Sequence, residues 1–402
     1  MKENIKLIST ISNIEYPFSR IQEKAENGEP LEVFLPEINK VRILQGEFIW
    51  QRFAEFLPVK VQKDLSLKEG NTPLEQAEVD LQDFCGIEKL YLKNETLNPT
   101  GSFKDRGSLL VTAMCREMGE THTATISTGN MGSSISACGK KAGIKVIVFI
   151  PHNTPDDKIQ LMSQYDPEIF KVHASDYSEM KKTILSLAAE LKLRIVSGNG
   201  PLRVEGYKLT AFELFEQMRG KVPDYIAVPT SACGHIRGIF KGYRELLAAR
   251  LIERLPKMII IQAENNSPIV SAIKQGKREI IPFRNFQTIA HAITSGEPYG
   301  GNELILKAGK FSWLAESVSE QEIMDSQRML QESGFLLEPA SATVLPAVRK
   351  LRKAGKIGDD EKVILMLTGS GRKSIIKNLE SKTKLISCEL KDVHSKLKKL
   401  SL

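Results

Sequence analysis

Cysteine is scarce and scattered in this chain: Cys85, Cys115, Cys138, Cys233 and Cys388 are an odd set of five among 402 residues, with no CxxC pair. That argues against a disulfide framework and a zinc site, so no metal is expected, and it leaves free thiols in a reducing compartment. Long apolar runs are missing as well. No stretch approaches the roughly 18 to 20 residues of a membrane span, and the opening MKENIKLIST has no apolar signal core, so a cytoplasmic location without a membrane partner is expected. The sequon-like Asn94-Glu95-Thr96 and Asn265-Asn266-Ser267 then carry no meaning. Internal repeats and low-complexity segments are absent too. Acidic residues are thin only at the end: Gly371 to Leu402 holds nine Lys or Arg against three acids, +6 of the formal +7, so the body is almost neutral. No aromatic residue interleaves with those cations. A solvated helix face or frayed end is the expectation there, and nucleic acid is not expected as a partner.

What is present is ordinary globular material. Hydrophobic residues make up 41% and charged residues 26%, values of a folded water-soluble chain, and the length suggests two domains. Short apolar runs alternate with amphipathic stretches, which predicts an α/β fold with wound, mostly parallel sheets. Strands are expected at Thr123 to Ser127, Lys145 to Pro151, Arg194 to Ser197, Tyr225 to Pro229, Met258 to Glu264 and Lys362 to Thr368. Helical spacing covers Met131 to Ala142, Asp156 to Tyr165, Tyr177 to Leu191, Gly206 to Met218, Gly234 to Ala249 and Ser319 to Ser333. In open α/β sheets ligands bind beyond the carboxyl ends of strands. Ser127 to Asn130, Pro229 to Gly234 and Thr368-Gly369 all fall there, so strand order alone predicts that they converge.

The segment NPTGSFKDRG, Asn98 to Gly107, sets Lys104 in a small-residue turn where a strand gives way to a helix. A lysine so placed is a phosphate-binding cation, a Schiff-base nucleophile or an ordinary solvated residue. Other blocks accompany it in order: SLKEGNTPL (Ser66 to Leu74), STGNMGSS (Ser127 to Ser134), NGPLRVEGYK (Asn199 to Lys208), VPTSACGHIRGIFKGY (Val228 to Tyr243), EPASA (Glu338 to Ala342) and LTGSGRK (Leu367 to Lys373). Together they closely resemble the threonine synthase branch of the tryptophan-synthase-β-like family, the fold type II pyridoxal phosphate enzymes.

The resemblance implies two three-layer αβα domains with pyridoxal 5'-phosphate in the cleft between them. Residues 61–107 and 201–380 would form the large domain, 108–200 a smaller inserted one, 1–60 an N-terminal extension and 381–402 a basic tail. It also implies a homodimer acting on a small, phosphorylated amino acid. Lys104 would be the imine lysine and then the proton shuttle, a catalytic role. Asn130 would meet the cofactor's phenolic oxygen, and Ser127, Thr128 and Gly129 the substrate carboxylate. Thr368 would face the pyridine nitrogen, and a neutral hydroxyl there makes a milder electron sink. Ala232, Cys233, Gly234 and His235 would cradle the cofactor phosphate through main-chain N–H groups. Glu338 has only a structural or helix-start role on this reading.

Two departures stand out. Relatives carry a GNAGN-like phosphate loop where this chain has Ser231-Ala232-Cys233-Gly234-His235, with one glycine of two retained. The relatives' Asn-Ser pair ahead of Asn-Pro-x-Arg is replaced by Ser197 and Gly198, followed by Gly200, Pro201 and Arg203. Arg203 remains as an anion-binding guanidinium. The implied reaction is O-phospho-L-homoserine plus water to L-threonine and phosphate. Alternatives are β-elimination or β-replacement on a serine-, phosphoserine- or threonine-like amino acid, and a non-catalytic cofactor-binding paralogue.

Overall fold

A computed structural model describes residues 4–18, 22–174, 177–191, 193–284, 287–374 and 385–399. The chain opens with a three-stranded antiparallel sheet, β1 (Lys6–Ser9), β2 (Glu15–Pro17) and β3 (Leu31–Phe34), in the order β2-β1-β3. Then follow β4 (Leu74–Gln76), β5 (Leu90–Asn94), β6 (His122–Ile126), β7 (Lys145–Pro151), β8 (Glu168–His173), β9 (Tyr225–Pro229), β10 (Lys257–Ala263), β11 (Leu314–Val318), β12 (Val363–Leu367) and β13 (Leu385–Glu389). They build two further sheets. One has the order β11-β10-β9-β12-β5-β4, parallel except for β4, and the other the all-parallel order β13-β8-β7-β6.

The larger sheet is covered on both faces, and the strand period shows it. Ile226, Val228, Met258, Ile260, Ile364 and Met366 pack to one side with Phe212 and Phe240. The alternate residues Ala227, Ile259, Ile261, Val363 and Leu365 pack to the other with Leu345, Val348 and Leu351. Strand order then positions the site. Because β12 enters between β9 and β5, with Leu367 opposite Asn94 and Leu365 opposite Ala227, the loops leaving these three strands sit side by side. Those loops carry SACGH, TGSG and SFKDR.

Several expected elements differ from those observed. Arg194 to Ser197 is not a strand: only Ile195 bridges to Ala124, because Gly198, Asn199 and Gly200 follow at once and turn the chain away. The helix expected over Gly206 to Met218 starts earlier, at Pro201–Tyr207 with proline in its first turn, and resumes as Leu209–Gln217. The basic C-terminal segment is more than a solvated face: β13 extends the smaller sheet, and Val393 and Leu397 of the following helix are buried. Its residues Lys377, Lys382 and Lys384 lie outside the described residues.

The N-terminal sheet is anchored by charge. Glu32 pairs with Arg244 and with Lys307 at 3.2 Å, and the Leu31 carbonyl accepts from Arg237 at 3.0 Å. Arg237 in turn pairs with Glu303 at 2.6 Å. Among the described residues no helix is long and apolar enough to cross a membrane, and no group of three metal-ligating side chains is found.

Candidate active site

Lys104 is the first residue of the helix Lys104–Glu117, and its ammonium lies 4.0 Å from the Phe103 ring centroid and 5.6 Å from that of Tyr207. The turn before it is held by its own sequence. Asp105 accepts from the Thr100 N–H at 2.7 Å and the Thr100 hydroxyl at 2.5 Å, as short polar side chains do in turns. Arg106 is locked below. Its guanidinium spans Glu95 (2.7 Å twice) and Glu213 (2.6 and 3.1 Å), and Lys93 closes the cluster on Glu213 at 2.6 Å, all of it buried. Burial opposes the Glu213 charge, yet Arg106 and Lys93 together outweigh it and hold the carboxyl below its usual range.

Ring packing brings the third loop in. His235 stacks on Phe103, with centroids 3.8 Å apart and planes 13° apart. Burial first, then Lys104 and Arg106, push its imidazole well below its ordinary value, so the ring is neutral. Neither ring nitrogen has a partner among the described residues. Cys233 caps the helix Gly234–Ala248 in the left-handed region, φ 75°, the backbone that the absent glycine would adopt freely. Its thiol is buried and pushed up by burial, as an apolar filler would be. No N–H from Ser231 to Ile236 donates to an acceptor among the described residues. Gly234 is required by close approach: a Cβ there would overlap the Gly198 carbonyl oxygen and lie 3.1 Å from its carbon. Ala232 lines the same contact, its Cβ 3.5 Å from where one at Gly198 would stand.

The remaining expected residues join through specific bonds. The Phe103 N–H donates to the Thr368 carbonyl at 3.2 Å, so the Lys104 turn touches the TGSG turn directly. The Thr368 hydroxyl is 3.0 Å from Ser341 Oγ, which also accepts from the N–H groups of Thr368 and Gly369. Asn130 is the first residue of the helix Asn130–Ala142, and its amide donates to both Glu338 oxygens at 2.9 and 3.0 Å. Ser127 turns its hydroxyl inward to accept from the Gly129 and Gly132 N–H groups, leaving Thr128 and Gly129 half-buried on the turn.

Arg203 is 1% exposed; its Nη1 donates to Ser108 Oγ at 3.1 Å, while Nε and Nη2 have no partner among the described residues. Ser108 meets Ser134 at 2.7 Å. Those serines stand one turn beyond Lys104 and Asn130 on their helices, so the two helices lie side by side with Lys104 and Asn130 on matching faces. Sequence reasoning missed what Glu338 and Ser341 do. Both fall in the EPASA block, and their grip on Asn130 and on Thr368 is visible only in three dimensions.

The donor set suits a bound anion at two places, the free amides of Ser231 to Ile236 and the open edge of Arg203, with a helix-start lysine beside an aromatic wall. A family model described as pyridoxal-phosphate dependent enzyme matches residues 65–369. The chain belongs to that family. It is 35% identical over 358 residues to a threonine synthase of Methanocaldococcus jannaschii, spanning 88% of this chain and 87% of that one. A threonine synthase of Methanosarcina acetivorans is 36% identical over 323 residues, 80% of this chain and 79% of its own. It is therefore a pyridoxal-phosphate-dependent enzyme of the threonine synthase family. Among solved structures, maize serine racemase superposes with a TM-score of 0.64 at 21% identity, covering 75% of this chain and 88% of that one. Threonine deaminase isoform 2 of Solanum lycopersicum gives 0.64 at 18%, covering 84% and 95%. These two likenesses bear on the fold, which is that of fold type II enzymes.

Proposed function

We propose that this enzyme makes L-threonine and phosphate from O-phospho-L-homoserine and water. The observation that carries the reading is Arg203, a guanidinium buried with two nitrogens unpaired among the described residues, beside a site whose other groups suit an amino-acid substrate. Such a cation is costly unless an anion completes it.

Pyridoxal phosphate, when bound, supplies an electron sink for the substrate's α and β carbons. The amides of Ala232, Cys233, Gly234 and His235 would hold its phosphate, Thr368 would meet its ring nitrogen, and Asn130, oriented by Glu338, would meet its phenolic oxygen. Ser127, Thr128 and Gly129 receive the substrate carboxylate. Lys104 takes and returns protons at the substrate carbons, held at the helix start against the rings of Phe103 and Tyr207. Arg203 grips the substrate phosphate until it leaves. The neutral His235 ring fills space against Phe103 without adding a charge. The same reading carries with it a homodimer in the cytoplasm.

The test is a spectral and product screen of the holoenzyme with phosphohomoserine, O-phosphoserine, serine and threonine in turn. Threonine and phosphate formed in equal amounts from phosphohomoserine alone is the expected result. Turnover of O-phosphoserine or serine in its place transfers the enzyme to the β-elimination or β-replacement reading, and no spectral response to any of them to the non-catalytic one.

A further inference from the structure

Beside Arg203 stands a carboxylate that the reaction above does not use. Glu23, from the N-terminal segment, reaches the loop Ser197 to Gly200 and accepts from the Ser197 N–H at 2.7 Å. Tyr299 holds both partners, sharing a hydrogen bond with Ser197 Oγ at 3.1 Å and donating to the Glu23 carbonyl at 3.4 Å. A Cβ at Gly200 would overlap the Glu23 carboxylate, so any residue but glycine there would exclude it. The loop is part of the cleft: Gly198 lies against Ala232, Met131 and Gly234, and Arg237 binds Asn199. Burial raises the Glu23 carboxyl, while Ser197 and then Arg203 and Arg194 favour its charge. Yet among the described residues no ion pair joins it to Arg203, whose Nε and Nη2 have no hydrogen-bond partner there.

We propose that Glu23 is a built-in anion at the edge of the substrate's anionic subsite, displaced from the Ser197 N–H when the substrate phosphate enters. This inference rests on the reading that Arg203 takes that phosphate. A tethered carboxylate competing for one main-chain donor sets how tightly the subsite holds an anion, and it helps product phosphate leave. It makes Glu23 a specificity-determining residue, acting through charge without touching the reacting atoms.

The test uses inorganic phosphate as probe, titrated into holoenzyme at alkaline pH where Glu23 is charged. Glu23→Gln keeps a carbonyl for the Ser197 N–H and removes only the charge. A like charge a few ångströms away in a partly buried site costs an anion at least about tenfold in affinity. Phosphate is therefore expected to bind Glu23→Gln at least about tenfold tighter than wild type, with KM for the phosphorylated substrate lowered in parallel and kcat changed far less. Equal or weaker phosphate binding in Glu23→Gln, where binding is still lost in Arg203→Ala, overturns the role of Glu23 alone and leaves it a structural tie. Phosphate binding that is absent throughout, or indifferent to Arg203→Ala, overturns the reading of Arg203, and this inference falls with it.

Discussion

Gly234→Ala is the sharpest probe of the proposed cofactor cradle. The added methyl would overlap the Gly198 carbonyl oxygen and stand 3.1 Å from its carbon and 3.2 Å from Asn199 Cα. All three are main-chain atoms, so no side chain can rotate away. Nor can either partner drift freely: Arg237 on the Gly234 helix grips the Asn199 carbonyl at 3.0 Å and its side chain at 2.7 Å. Overpacking of this kind costs about 2 to 3 kcal/mol, a few degrees of Tm for a chain of this size. The strain falls on the turn that presents the Ala232 to His235 amides, so cofactor affinity should fall by about tenfold or more, each tenfold being about 1.4 kcal/mol. Thermal melts of apo- and holoenzyme and a cofactor titration followed by absorbance measure both effects. Gly234→Val should be worse on each count. Cys233→Ala, which changes a buried thiol and leaves the N–H groups in place, should bind cofactor within about twofold of wild type. A Gly234→Ala enzyme with normal Tm and normal cofactor affinity would refute the argument, and so would a cofactor loss confined to Cys233→Ala.

Lys104→Ala should keep the fold and lose turnover, and borohydride reduction of the wild-type holoenzyme should fix the cofactor to the peptide bearing Lys104; a label on another lysine sinks that role. Arg203→Ala should lose about 2 to 4 kcal/mol in kcat/KM on phosphohomoserine with the cofactor spectrum intact, whereas loss of cofactor instead would assign the guanidinium to the cofactor. Glu69 is buried, and burial pushes its carboxyl from 4.5 up to about 7. It binds its proton more tightly folded than unfolded, so the stability it contributes is full below pH 4.5 and is lost as pH climbs through about 7, by up to about 3 kcal/mol. Denaturation midpoints on either side of that window should therefore differ less in Glu69→Gln than in wild type, and an unchanged pH dependence would count against the buried carboxyl as its source.

Much of the fold was legible because its signal is local. Strands β7 and β9 are continuous apolar runs, which only a strand covered on both faces explains, and their ends matched the sequence-based expectation. Strand β11, LAESV, carries a polar middle and gives no such run; β13 sits in a charge-rich tail that reads as solvated, and its pairing with β8 is set by partners over two hundred residues away. The site divides in the same way. Lys104, Asn130 and Thr368 sit at strand-to-helix or strand-to-turn junctions that periodicity locates, and the structure links their loops. Glu338 lies 208 positions from the Asn130 it orients, and Glu23 is 174 from Ser197. No spacing rule reaches that far: Glu338 stands in the EPASA block without that block naming its partner, and Glu23 stands in no pattern of its own.

The guanidinium of Arg237 has a bearing on how the enzyme comes into being. It binds the Leu31 carbonyl on one side and Asn199 on the other, so one cation orders both the first strands and the loop beside the cleft. Leu31 precedes it by 206 residues. At about 5 to 20 residues per second a ribosome takes roughly 10 to 40 s to bridge that gap, and during that wait the amino-terminal sheet has no Arg237 to dock on. A newborn chain thus reaches a competent cleft late, after the helix behind the Ser231–His235 loop has emerged, and the sheet around Leu31 waits for that helix before it can settle.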